Sequence, residues 1–124
     1  MKEDGKIFRK ERGLENHKIV LYAGRKEHSK QYQQAIEAVE MLKDPGIKLI
    51  LIGRDVDNIP INSKYVEYLG ALPRHKLLSA YDACDIFISP SLHESFGITF
   101  LEAWMFKKPV IGNRNCSAIR PVPG

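Results

Sequence analysis

Two short runs constrain this chain most. Lys18-Ile19-Val20-Leu21-Tyr22-Ala23-Gly24 and Lys48-Leu49-Ile50-Leu51-Ile52-Gly53 are apolar almost without interruption, and each stops at a glycine. Runs of this length are strands. Lacking the polar alternation of a half-solvated sheet, they must be buried on both faces, as parallel strands are. Between them, Tyr32, Ala35, Ile36, Val39 and Leu42 recur at helical spacing, so a helix is expected from about Lys30 to Lys43. Asp44-Pro45-Gly46 then breaks it.

The remainder repeats this alternation. A polar loop from Arg54 to Ser63 leads to a short third strand, Tyr65 to Gly70. Pro73 opens a helix through Leu77, Leu78, Ala80 and Tyr81. Asp85 to Ser89 reads as a fourth buried strand, followed by a helix in which Phe96, Thr99, Phe100, Ala103 and Trp104 share a stripe. Lys107-Lys108-Pro109 ends that helix, and Pro109-Val110-Ile111-Gly112 is the fifth strand. The expected fold is α/β, a doubly wound parallel sheet with right-handed crossovers in the order 3-2-1-4-5. Ligands of such sheets bind at the C-terminal strand ends, where the order switches between the first and fourth strands. Residues 1 to about 16 are rich in Lys, Arg and Glu and read as a linker or lead-in. The domain proper is then 17–124. Such sheets usually carry a further strand and covering helices, so the chain is expected to be a fragment.

With 124 residues there is enough chain for one domain with a real core. The net charge of +4 suits an anionic ligand or a membrane surface and is no argument for nucleic acid. No basic–aromatic stripe of the kind a single-strand binder needs is present. Two cysteines, Cys84 and Cys116, make no disulfide framework, and Cys84 reads as core packing. No apolar run reaches transmembrane length and no signal-peptide core opens the chain. A reducing cytoplasm is the simplest compartment. The histidines His17, His28, His75 and His93 lack a metal-ligand spacing.

The chemistry concentrates where the switch point falls. Ser95 is a candidate N-cap, which leaves the amides of Phe96, Gly97 and Ile98 free at the positive end of a helix dipole. That is a place for a phosphate. Glu94 and Glu102 bracket it, about 12 Å apart along the helix axis. Carboxylates repel phosphate but accept hydrogen bonds from vicinal hydroxyls. Either they hold the two diols of a nucleotide sugar, or they are an acid near a helix start and a solvated face. Arg25 and Lys30, after the first strand, add a planar fork and a mobile point charge suited to a diphosphate. The alternative is two surface cations.

These residues carry a resemblance. Glu94 and Glu102, with Ser95-Phe96-Gly97 between them and Ala103 after, resemble the Glu-x7-Glu motif of retaining GT-B glycosyltransferases, the large family-four (group 1) set. Pro90-Ser91, Pro109-Val110 and Gly24-Arg25 match as well, so the likeness covers roughly residues 18 to 113. It implies one Rossmann-like half of a GT-B enzyme, the C-terminal donor-binding half. In that likeness Gly24, Arg25 and Lys30 contact the donor diphosphate. Glu94 holds the donor sugar, Glu102 the ribose, and the amides of Phe96, Gly97 and Ile98 lie near the phosphates. Arg25, Lys30 and Glu94 carry the chemistry, and the base lies near Arg54 and Leu72. Gln31 departs from the pattern, which commonly has glycine there.

What the resemblance implies is transfer of a sugar from a nucleotide diphosphate sugar to an acceptor hydroxyl with retention, with no cofactor and no metal. The isolated fragment is expected to be inactive. Partners would be the nucleotide sugar and an N-terminal acceptor-binding domain of the same parent chain, with peripheral membrane association of the parent compatible with the charge. The catalytic histidine is commonly supplied by that N-terminal domain, so His93 is not expected to be catalytic. Asp55-Val56-Asp57 has the Asp-x-Asp form of a manganese site, but no further acids converge on it and it reads as a polar loop. Alternatives are a non-catalytic nucleotide- or phosphate-binding module and a nucleotide-sugar epimerase or a phosphorylase on the same architecture. No lysine context suggests the pyridoxal group of a phosphorylase.

Overall fold

The computed structural model describes residues 2–27, 31–89, 103 and 105–112. Five parallel strands form one sheet in the order β3-β2-β1-β4-β5. They are β1 (Lys18–Ala23), β2 (Ile47–Ile52), β3 (Val66–Gly70), β4 (Ile86–Ser89) and β5 (Val110–Gly112). Helices α1 (Lys2–Glu11), α2 (Tyr32–Leu42) and α3 (Arg74–Ala83) flank them. The expected order and parallel pairing are therefore observed, with strand ends moved by a residue or so.

Each apolar run divides between the two faces of the sheet, as the two-residue period of a strand requires. Ile19, Leu21, Ile50, Ile52 and Phe87 face the α1–α3 layer, with Phe8, Leu14, Tyr81 and Cys84. Tyr22, Leu49 and Leu51 face α2, with Tyr32, Ala35 and Val39. Register is continuous between β1 and β2, from Lys18 opposite Ile47 to Ala23 opposite Ile52. Tyr81 is fully buried and stacks on Phe87 and Phe106, with centroids 5.5 and 6.0 Å away. Cys84 is buried and free. Burial pushes its thiol up to about 12, so it serves as packing, with Sγ donating to Tyr81 O.

The lead-in expected over residues 1–16 is instead an ordered part of the domain. Its first ten described residues are α1, packed on α3. The inward face of α1 is Gly5, Phe8 and Arg9, so helical periodicity is present but is carried mainly by glycine and arginine. Phe8 and Leu14 are buried. Gly5 N, one of the first free amides of α1, donates to Asp82 Oδ2 at 2.9 Å, an acid where the helix dipole favours one.

Helix α2 begins one residue after an unusual position. Gln31 adopts the left-handed conformation, φ 56° and ψ 33°, and its side-chain oxygen is buried without a hydrogen-bond partner. That backbone conformation costs an L-residue about 1 kcal/mol and costs glycine almost nothing. The glycine of the resembling pattern has a physical reason, and Gln31 fills its place at some strain. Replacing Gln31 with glycine is expected to raise unfolding stability by about 0.5–1 kcal/mol, measured by urea denaturation. An unchanged or lower midpoint would count against the strain.

Candidate functional site

The C-terminal ends of β1, β2 and β4 lie side by side, because β1 pairs with β2 on one edge and β4 on the other. Gly24 follows β1, Gly53 follows β2, and Ser89, itself buried, ends β4. The switch in strand order falls between β1 and β4, so this edge is where the fold opens a crevice.

Gly24 and Gly53 meet back to back. Gly24 N donates to Ile52 O at 2.9 Å, and a Cβ on Gly53 would stand 1.6 Å from Gly24 O. Arg25 follows. Its carbonyl accepts from the Tyr22 hydroxyl at 2.9 Å. Its side chain is 53% exposed and, among the described residues, pairs with Glu27 at 3.5 Å. A half-exposed guanidinium with one long ion pair retains donors for an anion.

Lys26, not singled out from the sequence, is buried at 2% exposure. Its ammonium bonds Asp55 at 3.1 Å and, more closely, Asp57, and it sits 5.3 and 5.9 Å from the ring centroids of Tyr32 and Tyr68. Tyr32 donates to the second oxygen of Asp57, and Tyr68 donates to Gly53 O. Burial alone pulls the Lys26 ammonium down. The hydrogen bonds it donates to Asp57 and Asp55 outweigh it, so the group is held above its ordinary value. For Asp57, burial pushes up. Lys26, Tyr32 and the Ile59 amide bring the carboxyl to about 2. Tyr32 is raised, by burial first and then by Asp57.

The Asp-x-Asp pair therefore holds an ammonium. Each acid also shapes its own turn: Asp55 Oδ1 accepts from Asn58 N and Asp57 Oδ1 from Ile59 N, both at 3.0 Å. Among the described residues no group of three or more His, Cys, Asp or Glu could hold a metal ion.

Of the site residues read from sequence, Gly24 and Arg25 lie at the crevice edge of β1. Lys30, Glu94, Phe96, Gly97, Ile98 and Glu102 lie outside the described residues, as does His93. Ala103, next to Glu102, is buried against the α1–α3 layer. Arg54 is exposed at the end of β2, and Leu72 packs partly buried on the α1–α3 side. The polar cluster around Lys26 had no signal in sequence beyond the Asp-x-Asp spacing. A lysine partnered across 29 and 31 residues leaves no local pattern.

A doubly wound parallel sheet whose strand order switches between β1 and β4, with a half-exposed arginine two residues past β1, defines an α/β domain of Rossmann-like architecture. Comparison with known families makes the assignment specific. The model of the glycosyl transferases group 1 family matches residues 4–121, so the chain belongs to that family. Among similar curated proteins, the N,N'-diacetylbacillosaminyl-diphospho-undecaprenol alpha-1,3-N-acetylgalactosaminyltransferase of Campylobacter jejuni is 32% identical over 114 residues, 88% of this chain and 30% of that protein. The D-inositol 3-phosphate glycosyltransferase of Corynebacterium glutamicum is 32% identical over 123 residues, 86% of this chain and 29% of that protein. The chain thus spans under a third of these relatives' length. Among solved structures, Anabaena HepE in complex with UDP and glucose aligns with a TM-score of 0.80 at 22% identity, over 98% of this chain and 36% of that one. The C-terminal domain of the group 1 protein LpcC from Francisella tularensis aligns at 0.72 with 21% identity, over 94% of this chain and 69% of that domain. At these identities the structural likeness speaks for the fold. Family membership also accounts for α1, since the match starts at residue 4. No helix among the described residues is long and apolar enough to cross a membrane.

Proposed function

We propose that this chain is the donor-binding, C-terminal half of a retaining glycosyltransferase, holding a nucleotide diphosphate sugar across the ends of β1 and β4. The observation that carries the reading is an exposed Arg25 directly after β1, at the switch point of a group 1 glycosyltransferase fold. Arg25 and Lys30 neutralise the diphosphate, with the amides of Phe96, Gly97 and Ile98 and the helix dipole behind it. As the sugar–phosphate bond breaks, negative charge grows on the leaving diphosphate, and these groups stabilise it. Glu94 accepts from the donor sugar's hydroxyls and Glu102 from the ribose diol. Charge balance by Arg25, Lys30 and amides makes a metal unnecessary. A partner domain of the parent chain supplies the acceptor and closes the cleft, so this chain alone binds donor and transfers little. Support for the donor class comes from relatives named as glycosyltransferases and from a structural neighbour holding UDP and glucose.

The test is calorimetric titration of the chain with UDP, GDP, ADP and their common sugar conjugates, without metal and then with manganese. Arg25→Ala is expected to weaken diphosphate binding about 10–100-fold, the size of a lost charge-assisted contact of about 1.5–3 kcal/mol. The melting temperature should stay unchanged, because the side chain is half exposed. Binding insensitive to Arg25→Ala, or none by the folded chain to any diphosphate, would overturn the assignment and favour a module without donor chemistry.

A further inference from the structure

We propose that Lys26 is a positioning residue for this same site: its ammonium, held between Asp55 and Asp57, locks the turn after β1 to the turn after β2 and so sets Arg25 relative to Arg54. The inference rests on the donor-binding reading, because it assigns Arg25 to the diphosphate end of the ligand.

The two turns are joined by backbone as well as side chain. Lys26 N donates to Arg54 O at 2.8 Å. Val56 N and Asp57 N donate back to Lys26 O at 3.1 and 3.2 Å. Lys26 and Asp55 thus form a parallel bridge beyond the last paired residues of β1 and β2. Arg25 is confined between the Tyr22 hydroxyl on its own carbonyl and this bridge at the next residue. Its backbone is fixed while its side chain stays half exposed.

A buried ammonium is a poor way to gain stability. Desolvation offsets much of the attraction, and an apolar side chain of similar volume would pack as well. What the ion pair adds is geometry. The two carboxylates that grip Lys26 also accept the amides of Asn58 and Ile59. One cation therefore organises its own turn, the neighbouring turn and, through Tyr32, the first residue of α2. Lys26 touches no ligand itself and acts through Arg25.

The experiment uses Lys26→Met, which keeps most of the stem and removes the charge, and Asp57→Asn, which keeps shape and removes one partner. Two readouts are taken on each: amide hydrogen exchange by NMR, and calorimetric titration with UDP, GDP and ADP. In Lys26→Met the amides of Lys26, Val56 and Asp57 should exchange at least tenfold faster, while those of Leu21 and Ile50 in the strands keep their protection. Affinity for whichever diphosphate binds should fall about tenfold. The double variant with Arg25→Ala should bind no worse than Arg25→Ala alone, because a residue acting through Arg25 has nothing left to act on. Additive losses, or unchanged affinity, would overturn the positioning role. Should Lys26→Met fail to fold, Asp57→Asn carries the same readouts with the same expected signs. If the unsubstituted chain binds none of the three nucleotides, the donor reading falls. The lock is then judged on exchange: faster turn amides uphold the coupling of the two turns, and unchanged ones overturn it.

Discussion

Gly53→Ala is expected to destabilise the domain by more than about 4 kcal/mol, enough to abolish cooperative unfolding in a chain of ordinary stability. The added methyl would stand 1.6 Å from Gly24 O and 2.5 Å from Gly24 C. Both are backbone atoms, so no side-chain rotation relieves the overlap. Gly53 also sits at φ 153°, a conformation L-residues avoid. Relief would require β1 and β2 to part at their C-terminal ends. That would break Gly24 N to Ile52 O, 2.9 Å, and separate the turn after β1 from the turn after β2. Gly24→Ala is the matched control. Its methyl would meet the Tyr22 side chain, with the hydroxyl nearest at 3.2 Å, which a shift of a few tenths of an ångström relieves. Circular dichroism melts of both variants decide the matter. A Gly53→Ala chain melting within a few degrees of the parent would show that the two glycines do not meet this closely.

The second large effect is expected at Arg9. Removing its side chain should cost about 3 kcal/mol, a fall in melting temperature of about 10 °C. The guanidinium donates to Ala83 O at 3.0 and 2.7 Å, to His17 O at 2.8 Å and to Asp85 Oδ2 at 2.9 Å, with a longer bond to Leu14 O. Ala83 O is one of the orphan carbonyls at the end of α3. Asp85 Oδ2 also accepts from Ile19 N at 2.8 Å, inside β1. One side chain thus ties α1, the end of α3 and the start of the central strand. Arg9→Ala removes all of these donors, leaving Asp85 with the Ile19 amide, whereas Arg9→Met keeps the stem and separates packing from hydrogen bonding. Both should melt well below the parent, Arg9→Ala lower. A change of less than 1 kcal/mol in urea denaturation would show α1 to be dispensable.

Both predictions concern contacts that local pattern does not encode. The strands were legible because burial on two faces demands continuous apolar residues, and α2 was legible from the stripe of Tyr32, Ala35 and Val39. Strand order followed from the handedness of crossovers. Gly24 and Arg25 fall at the end of β1 as topology requires.

Helix α1 escaped because its inward face is Gly5, Phe8 and Arg9, and a face with a single large apolar residue reads as a charged lead-in. Lys26 escaped for a similar reason. Beside Arg25 in a charged loop it reads as solvated, and only the fold brings Asp55 and Asp57 to its ammonium. In the same way Asp-x-Asp, a metal signature in another fold, here matches a lysine. The sequence by itself therefore determined the sheet and its order, since periodicity and glycine placement are local properties of the chain. Only the tertiary structure decided which charges are buried, which are paired and which stay free, because burying a charge requires partners that approach across dozens of residues.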